Sequence, residues 1–96
     1  MAKPETKIPR LVLRLYVAGD APNSLRAVSN AKALCDQHFA SRYELEVVDV
    51  LKHPRRAQAD GVVVTPTLLK LQPLPGQRLV GSLSDSVAVL LTLSGR

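Results

Sequence analysis

Apolar residues occupy every second position from Leu11 to Val17, a spacing that predicts a β-strand. One face of this strand is wholly aliphatic and carries Leu11, Leu13, Leu15 and Val17. The other face carries Val12, Arg14 and Tyr16, so it is also partly apolar. A strand with apolar residues on both faces is typical of a sheet that helices cover on both sides.

The spacing becomes helical over residues 24–40, after a turn at residues 18–23. The side chains predicted to face the core are Leu25, Val28, Ala31, Leu34, Cys35 and Phe39. Asp20 or Asn23 can cap this helix, because a short polar side chain at a helix start accepts a bond from a free backbone N–H.

The rest of the chain predicts three more strands and two more helices. The strands are expected at residues 43–48, 68–71 and 77–80, the last two joined by a tight turn at residues 73–76. A short helix is expected at residues 54–60, opened by Pro54 and stopped by Gly61. In the last helix, Ser84 is the predicted cap, and the predicted buried residues are Val87, Leu90 and Leu91.

These elements predict an α/β fold in the order β-α-β-α-β-β-α, with a mixed four-stranded sheet and three helices. The first strand–helix–strand unit implies a right-handed crossover between parallel strands, and the hairpin adds antiparallel pairs. A proline directly before the third strand completes the plan of a thioredoxin-like fold. We predict that the Thr65–Pro66 peptide bond is cis. Proline has no backbone N–H to donate to a neighbouring strand, and a cis bond is suited to a sharp turn. One domain over residues 11–96 would follow a flexible leader at residues 1–10.

Charge and composition narrow the choice of partner. The chain has 96 residues and a net charge of +5, which favours an acidic partner surface. Nucleic acid is a poor candidate, because the charge is dispersed, no recognised binding motif is present and aromatic residues make up only 3% of the chain. The N-terminal segment is polar and is interrupted by Pro4 and Pro9, so it does not resemble a signal peptide. No apolar segment of the sequence reaches membrane-spanning length. A cytoplasmic location is expected.

The cysteine content argues against redox catalysis. Cys35 is the only cysteine, so we expect no disulfide, no structural zinc site and no cofactor. Thiol–disulfide enzymes of thioredoxin-like build carry two cysteines where the first strand meets the first helix, and residues 19–24 contain none. Cys35 is expected to be a small buried apolar residue. Ser24 leaves one alternative open: a small glutathione- or thiol-binding protein in which a hydroxyl at the helix start holds a thiolate.

Several separate motifs of the sequence resemble those of the KaiB family of circadian clock proteins. The motifs are Leu13-Arg14-Leu15-Tyr16-Val17-Ala18-Gly19, Pro22-Asn23-Ser24-Leu25-Arg26-Ala27, residues 43–52 with Pro54, Ala59-Asp60, Thr65-Pro66-Thr67-Leu68 and Gly81-Ser82-Leu83-Ser84-Asp85. They stand in the family's order across residues 11–93. Several motifs in the same order identify a family far more specifically than any one motif does.

The resemblance implies a non-enzymatic protein-binding module. KaiB proteins bind KaiC, a RecA-like hexameric ATPase, and a related domain begins a clock-output sensor histidine kinase. The expected partner is therefore a KaiC-like ATPase or a signalling kinase. The basic residues that the family uses to bind KaiC resemble Arg26, Lys52, Lys70 and Arg78 here, and structural roles are expected for Gly19, Pro66, Gly81 and Asp85.

The family is known for two folds, so the resemblance also implies an alternative architecture. In the ground state KaiB forms a tetramer whose C-terminal half, from about Ala59 in this chain, is rearranged. The last conserved segment usually carries Gly and Asp before an acidic tail, whereas residues 91–96 here read Leu-Thr-Leu-Ser-Gly-Arg. Two packings of one sequence can differ by only a few kcal/mol. We expect these changes to favour the thioredoxin-like fold, as a monomer or dimer.

Overall fold

The computed structural model describes residues 10–94 and contains one mixed sheet with helices on both faces. Its elements are β1 (Leu11–Val17), α1 (Pro22–His38), β2 (Tyr43–Asp49), α2 (Pro54–Ala59), β3 (Thr67–Gln72), β4 (Gln77–Val80) and α3 (Ser86–Leu93). The predicted order of strands and helices is confirmed. The predicted leader lies outside the described residues except for Arg10.

Strand β1 is an inner strand of the four-stranded sheet, whose order is β2-β1-β3-β4. It runs parallel to β2, with Leu11 opposite Tyr43 and Val17 opposite Asp49. It runs antiparallel to β3, and β3 is antiparallel to β4. The mixed sheet follows from the sequence because a helix connects β1 to β2, whereas a tight turn connects β3 to β4.

The alternation of side chains along β1 divides the core into two layers. The first layer lies against α1 and α3, and its members on β1 are Leu11, Leu13, Leu15 and Val17. The second layer lies on the other face, where Tyr16 packs with Val48, Ala57 of α2 and Leu69. Coverage of β1 on both sides was predicted and is confirmed.

The buried face of α1 differs from the predicted stripe. The helix begins at Pro22 after Ala21, and no side chain caps it, so the proposed caps Asp20 and Asn23 are wrong. The residues that are buried on α1 are Ser24, Ala27, Ala31, Leu34 and Cys35, whereas Leu25 is exposed. Small side chains allow α1 to approach the sheet closely, and a pattern based on hydrophobicity alone ranks them below leucine.

The last helix also shows a different face from the predicted one. Its cap is Asp85 rather than Ser84, and Oδ1 of Asp85 accepts a hydrogen bond from the N–H of Ala88 (3.2 Å). Val89 and Leu93 are buried, while the predicted Val87 and Leu91 are exposed. Nearly every residue of the α3 sequence SVAVLLTL is apolar, so its period does not identify the inner face.

The corrected face of α1 leads to a paired test of stability. Leu34→Ala removes a side chain of α1 that is 8% exposed and should lower the free energy of unfolding by about 2–5 kcal/mol. Leu25→Ala makes the same change at a residue that is 55% exposed, and should cost less than about 0.5 kcal/mol. Urea unfolding followed by circular dichroism measures both, and equal losses would show that α1 does not present the face described.

Candidate docking surface

Four loops meet at one end of the sheet, which we call the loop end: residues 18–21, 50–53, 61–66 and 81–85. They meet because β1, β2 and β4 finish at this end and β3 starts there. The N–H of Val50 donates to the carbonyl of Val17 (2.8 Å), and that of Gly81 donates to the carbonyl of Pro66 (2.9 Å). The Thr65–Pro66 bond is cis, and Gly81 has a φ of +112°. Backbone bonds therefore hold neighbouring loops in register.

Asp49, the last residue of β2, connects two of these loops. Its Oδ1 accepts hydrogen bonds from the N–H groups of Leu51 (2.9 Å) and Gly19 (3.1 Å). These bonds, led by the one from Leu51, lower the pKa of Asp49 below its ordinary value. Gly19 has a φ of +54°, and a Cβ atom there would lie 3.3 Å from Cδ1 of Leu51. A glycine is therefore needed where the loop after β1 passes under Leu51.

The start of α1 offers neither a thiol nor a free hydroxyl. Ser24 is buried, and its Oγ accepts a hydrogen bond from the N–H of Ala18 (3.1 Å). Cys35 lies further along the helix and is fully buried, as predicted. Burial raises the pKa of its thiol to about 11, so little thiolate forms near neutral pH. The hydroxyl that a thiol-binding role would require is thus used inside the fold.

A network of charged and phenolic groups holds the end of α2 against β1. The hydroxyl of Tyr16 donates to Oδ2 of Asp60 (2.6 Å) and lies 3.0 Å from the carbonyl oxygen of Arg56. Nη1 of Arg14 donates to the same Asp60 oxygen (2.9 Å). The bond from Tyr16, with a further one from Arg14, lowers the pKa of Asp60. Asp60 joins two side chains of β1 to the residue that follows α2.

Glu46 of β2 extends this network to the sheet edge. Its carboxylate accepts two bonds from the guanidinium of Arg56 (2.8 and 2.9 Å) and one from Nε of Arg14 (3.0 Å). The bonds from Arg56, followed by the one from Arg14, lower the pKa of Glu46 to about 2. Sequence reasoning missed this network. The only signal was that Arg14 and Tyr16 share a strand face and need polar partners.

Two of the predicted partner-binding cations, Arg26 and Lys52, are exposed near the loop end. Arg26 lies in the first half of α1, and its Nη1 donates to the amide oxygen of Asn23 (2.7 Å). Lys52 follows Leu51 in the loop after β2. Among residues 10–94 neither cation forms an ion pair with a carboxylate. Within the described part of the chain, both positive charges therefore lie at the surface without a paired carboxylate.

Arg78 of β4 is exposed as well, but it also has a structural role. Its guanidinium donates to the backbone carbonyls of Asp60 (2.8 Å) and Gly61 (3.2 Å). Within the described residues it makes no carboxylate ion pair. Arg78 therefore fixes the start of the loop before β3 while keeping its charge available.

Lys70 differs from the other three, because its side chain is buried. It is 2% exposed, and its Nζ atom has no hydrogen-bond partner in the described part of the chain. Lys70 stands opposite Leu13 and shares its strand face with Leu68, so it points into the layer of α1 and α3. Both faces of β3 are covered, which leaves no solvent-facing position at residue 70. Lys70 is out of reach of a partner in this form.

Three aliphatic side chains at the loop end are exposed and were not singled out from the sequence. Leu51 is 72% exposed, Val63 is 91% exposed and Val64 is 49% exposed. A run of valines before a proline resembles a buried strand segment, so the pattern gives no warning that it forms a surface.

Two further features are absent from residues 10–94. No group of three or more His, Cys, Asp or Glu side chains there could hold a metal ion. None of the helices in this range is both long enough and apolar enough to cross a membrane.

Sequence comparison identifies one family. The sequence model described as the KaiB domain matches residues 14–94. A relative from Synechococcus elongatus named "Circadian clock oscillator protein KaiB" is 48% identical over 82 residues, which cover 85% of this chain and 80% of that protein. A relative of the same name from Gloeothece citriformis is also 48% identical over 82 residues, covering 85% of this chain and 77% of that one.

Comparison with solved structures confirms the predicted thioredoxin-like fold. The N-terminal domain of SasA from Synechococcus elongatus is similar with a TM-score of 0.74 and 31% identity, over 93% of this chain and 86% of that domain. A thioredoxin from Fasciola hepatica is similar with a TM-score of 0.73 and 19% identity, over 88% of this chain and 79% of the thioredoxin.

The Glu46 network predicts a specific loss of stability in acid. Because the pKa of Glu46 falls from 4.5 to about 2 on folding, its contribution is complete above pH 4.5 and is lost as the pH falls towards 2. Glu46→Gln should flatten this part of the curve of unfolding free energy against pH, as measured by urea titrations. Glu44→Gln, on the same strand beside Arg10 at 3.5 Å, is the matched control. An unchanged slope in Glu46→Gln would contradict the assignment.

The burial of Lys70 predicts a stabilising substitution. Lys70→Met keeps an unbranched side chain and removes an amine that has no hydrogen-bond partner among residues 10–94, so the free energy of unfolding should rise by about 1–3 kcal/mol. Lys32→Met, at an exposed position of α1, should change it by less than about 0.5 kcal/mol. Thermal and urea unfolding test both, and a less stable Lys70→Met protein would show that the amine has a partner.

Proposed function

The chain belongs to the KaiB family, and on that basis we propose that it is a docking protein that binds a KaiC-like ATPase of the RecA type and regulates timing or stress signalling. Arg26, Lys52 and Arg78 contact an acidic surface of that ATPase. The chain performs no reaction of its own.

The observation that carries this proposal is that two exposed cations, Arg26 and Lys52, lie near the loop end without an ion-pair partner among residues 10–94. Arg10, Arg14 and Arg56 form ion pairs within the chain, whereas Arg26 and Lys52 do not pair with any carboxylate of residues 10–94. An unpaired surface cation gains an acidic partner without first giving up another, and long-range attraction speeds the encounter. The net charge of +5 acts in the same direction.

The loop end supports docking better than the thiol-binding alternative. A protein that holds glutathione through Ser24 would need that hydroxyl at the surface, but Ser24 is buried and bonded to Ala18. Cys35 is buried within the first core layer.

Lys70 has a different place in the proposal. Its side chain lies between the sheet and the helices α1 and α3, so it contacts a partner only if that cover moves. Contact in the form described here therefore involves Arg26, Lys52 and Arg78. Arg78 contributes less to partner binding than Arg26 or Lys52, because its guanidinium is also bonded to the backbone carbonyls of Asp60 and Gly61.

Charge reversal at the loop end tests the proposal. The double substitution Arg26→Glu and Lys52→Glu should weaken binding to purified KaiC of Synechococcus elongatus by about 100-fold, since like charges at an interface cost several kcal/mol. The matched control is Lys32→Glu with Arg42→Glu, which makes the same change of charge at exposed residues away from the loop end. Affinity is measured by biolayer interferometry with ATP present, and circular dichroism verifies the fold.

Each outcome of this experiment has a defined meaning. Binding by the wild-type chain and the control, with strong weakening in the Arg26 and Lys52 variant, supports the proposal. Absence of wild-type binding to KaiC contradicts it, as does equal weakening in both variants. A calorimetric titration with glutathione is the counter-test, because saturable heat would favour the thiol-binding alternative.

A further inference from the structure

Three exposed aliphatic residues share the loop end, and we refer to them together as the patch. Leu51 and the pair Val63 and Val64 belong to the loops on either side of the loop that follows β1. Single exposed leucines and valines are normal, but several at the same end of a sheet are typical of interaction sites. Covering them would remove apolar surface from water, which is favourable by roughly 25 cal/mol per Å².

The spacing of the patch fits one element of secondary structure. The loops that carry Leu51 and Val64 follow β2 and precede β3, and these strands flank β1. Two strand spacings amount to about 10 Å. An α-helix with its side chains is about 10–12 Å wide. A single helix laid across the loop after β1 is therefore wide enough to contact both sides of the patch.

The patch is held in place before any partner arrives. Asp49 binds the N–H of Leu51 at 2.9 Å, and the hydroxyl of Thr67 donates to the carbonyl of Val64 at 2.7 Å. Arg78 binds the carbonyls of Asp60 and Gly61, where the loop to Val63 begins. A surface ordered in advance loses less conformational entropy on binding.

The charges around the patch indicate the chemistry of the partner. Lys52 is adjacent to Leu51 in the chain, and Arg26 lies on the helix that starts at the same end. Asp20 is the carboxylate of the intervening loop, and Asp85 of the loop after β4 accepts a hydrogen bond from the N–H of Ala88. Asp49 is engaged with backbone N–H groups. The surroundings thus favour carboxylates over cations on the partner.

We propose that Leu51, Val63 and Val64 are the apolar centre of the docking surface, and that the partner protein seats an amphipathic helix there with aliphatic side chains flanked by carboxylates. This inference depends on the proposed function, since it names what the ATPase presents to the chain. A protein helix suits the site better than a membrane, because the patch is narrow.

The test replaces apolar contact without changing charge. Leu51→Ser with Val63→Ser should weaken binding to Synechococcus elongatus KaiC at least about 10-fold, because burying each aliphatic side chain contributes roughly 1.5–3 kcal/mol when complete. The control, Leu74→Ser with Leu91→Ser, alters side chains that are 80% and 68% exposed and lie away from the loop end. Affinity is measured over a range of salt concentrations. The variant should keep the wild-type salt dependence, unlike the Arg26 and Lys52 variant.

The outcomes separate this inference from the proposed function. If the wild type binds KaiC and the Leu51 and Val63 variant binds equally well, the apolar centre is wrong and the docking function stands. If the wild type does not bind, both are wrong. Binding to phosphatidylserine-containing vesicles that this variant loses would assign the patch to a membrane. Self-association that it loses, detected by analytical ultracentrifugation, would assign the patch to a second copy of the chain. Either result overturns the helix assignment.

Discussion

Arg14 and Tyr16 project from β1 into the layer that α2 closes, and the need to give both side chains hydrogen-bond partners constrains much of the molecule. Asp60 meets that need for both of them with a single carboxylate oxygen. Because Asp60 directly follows α2, its hydrogen bonds with Arg14 and Tyr16 also fix the point where that helix ends. The loop that continues from Gly61 towards β3 therefore starts from a fixed place. Polar groups beneath the sheet thus position an apolar surface at its end.

Strands were easier to predict than helix faces, for a physical reason that Leu25 and Ala27 illustrate. In β1 the alternation of side chains follows directly from backbone geometry, so Leu13 and Leu15 could be assigned to the core. In α1 the inner face is chosen by how closely the helix packs, which favours Ala27 over Leu25. In α3 both faces are apolar, and only packing identifies Val89 as buried.

The candidate site shows the same limit. Arg26 and Lys52 could be selected through family resemblance, and their exposure agrees with a contact role. The burial of Lys70 was not foreseeable from its neighbours in sequence, because it depends on α3 and α1 covering that face of the sheet. The partnership of Asp60 with Arg14 spans 46 positions and likewise needed the folded chain. Residues that act through distant contacts are those that local patterns miss.

The burial of Cys35 makes this protein suitable for site-specific labelling through introduced cysteines. It is the sole cysteine of the chain, its side chain is inaccessible, and burial holds the thiol pKa at about 11. A cysteine introduced on the surface would titrate near its ordinary range and would react with maleimides far faster than the native one. Spin labels or fluorophores can therefore be attached at chosen positions in the otherwise unmodified sequence, and distances between loops can be recorded while a binding partner is added.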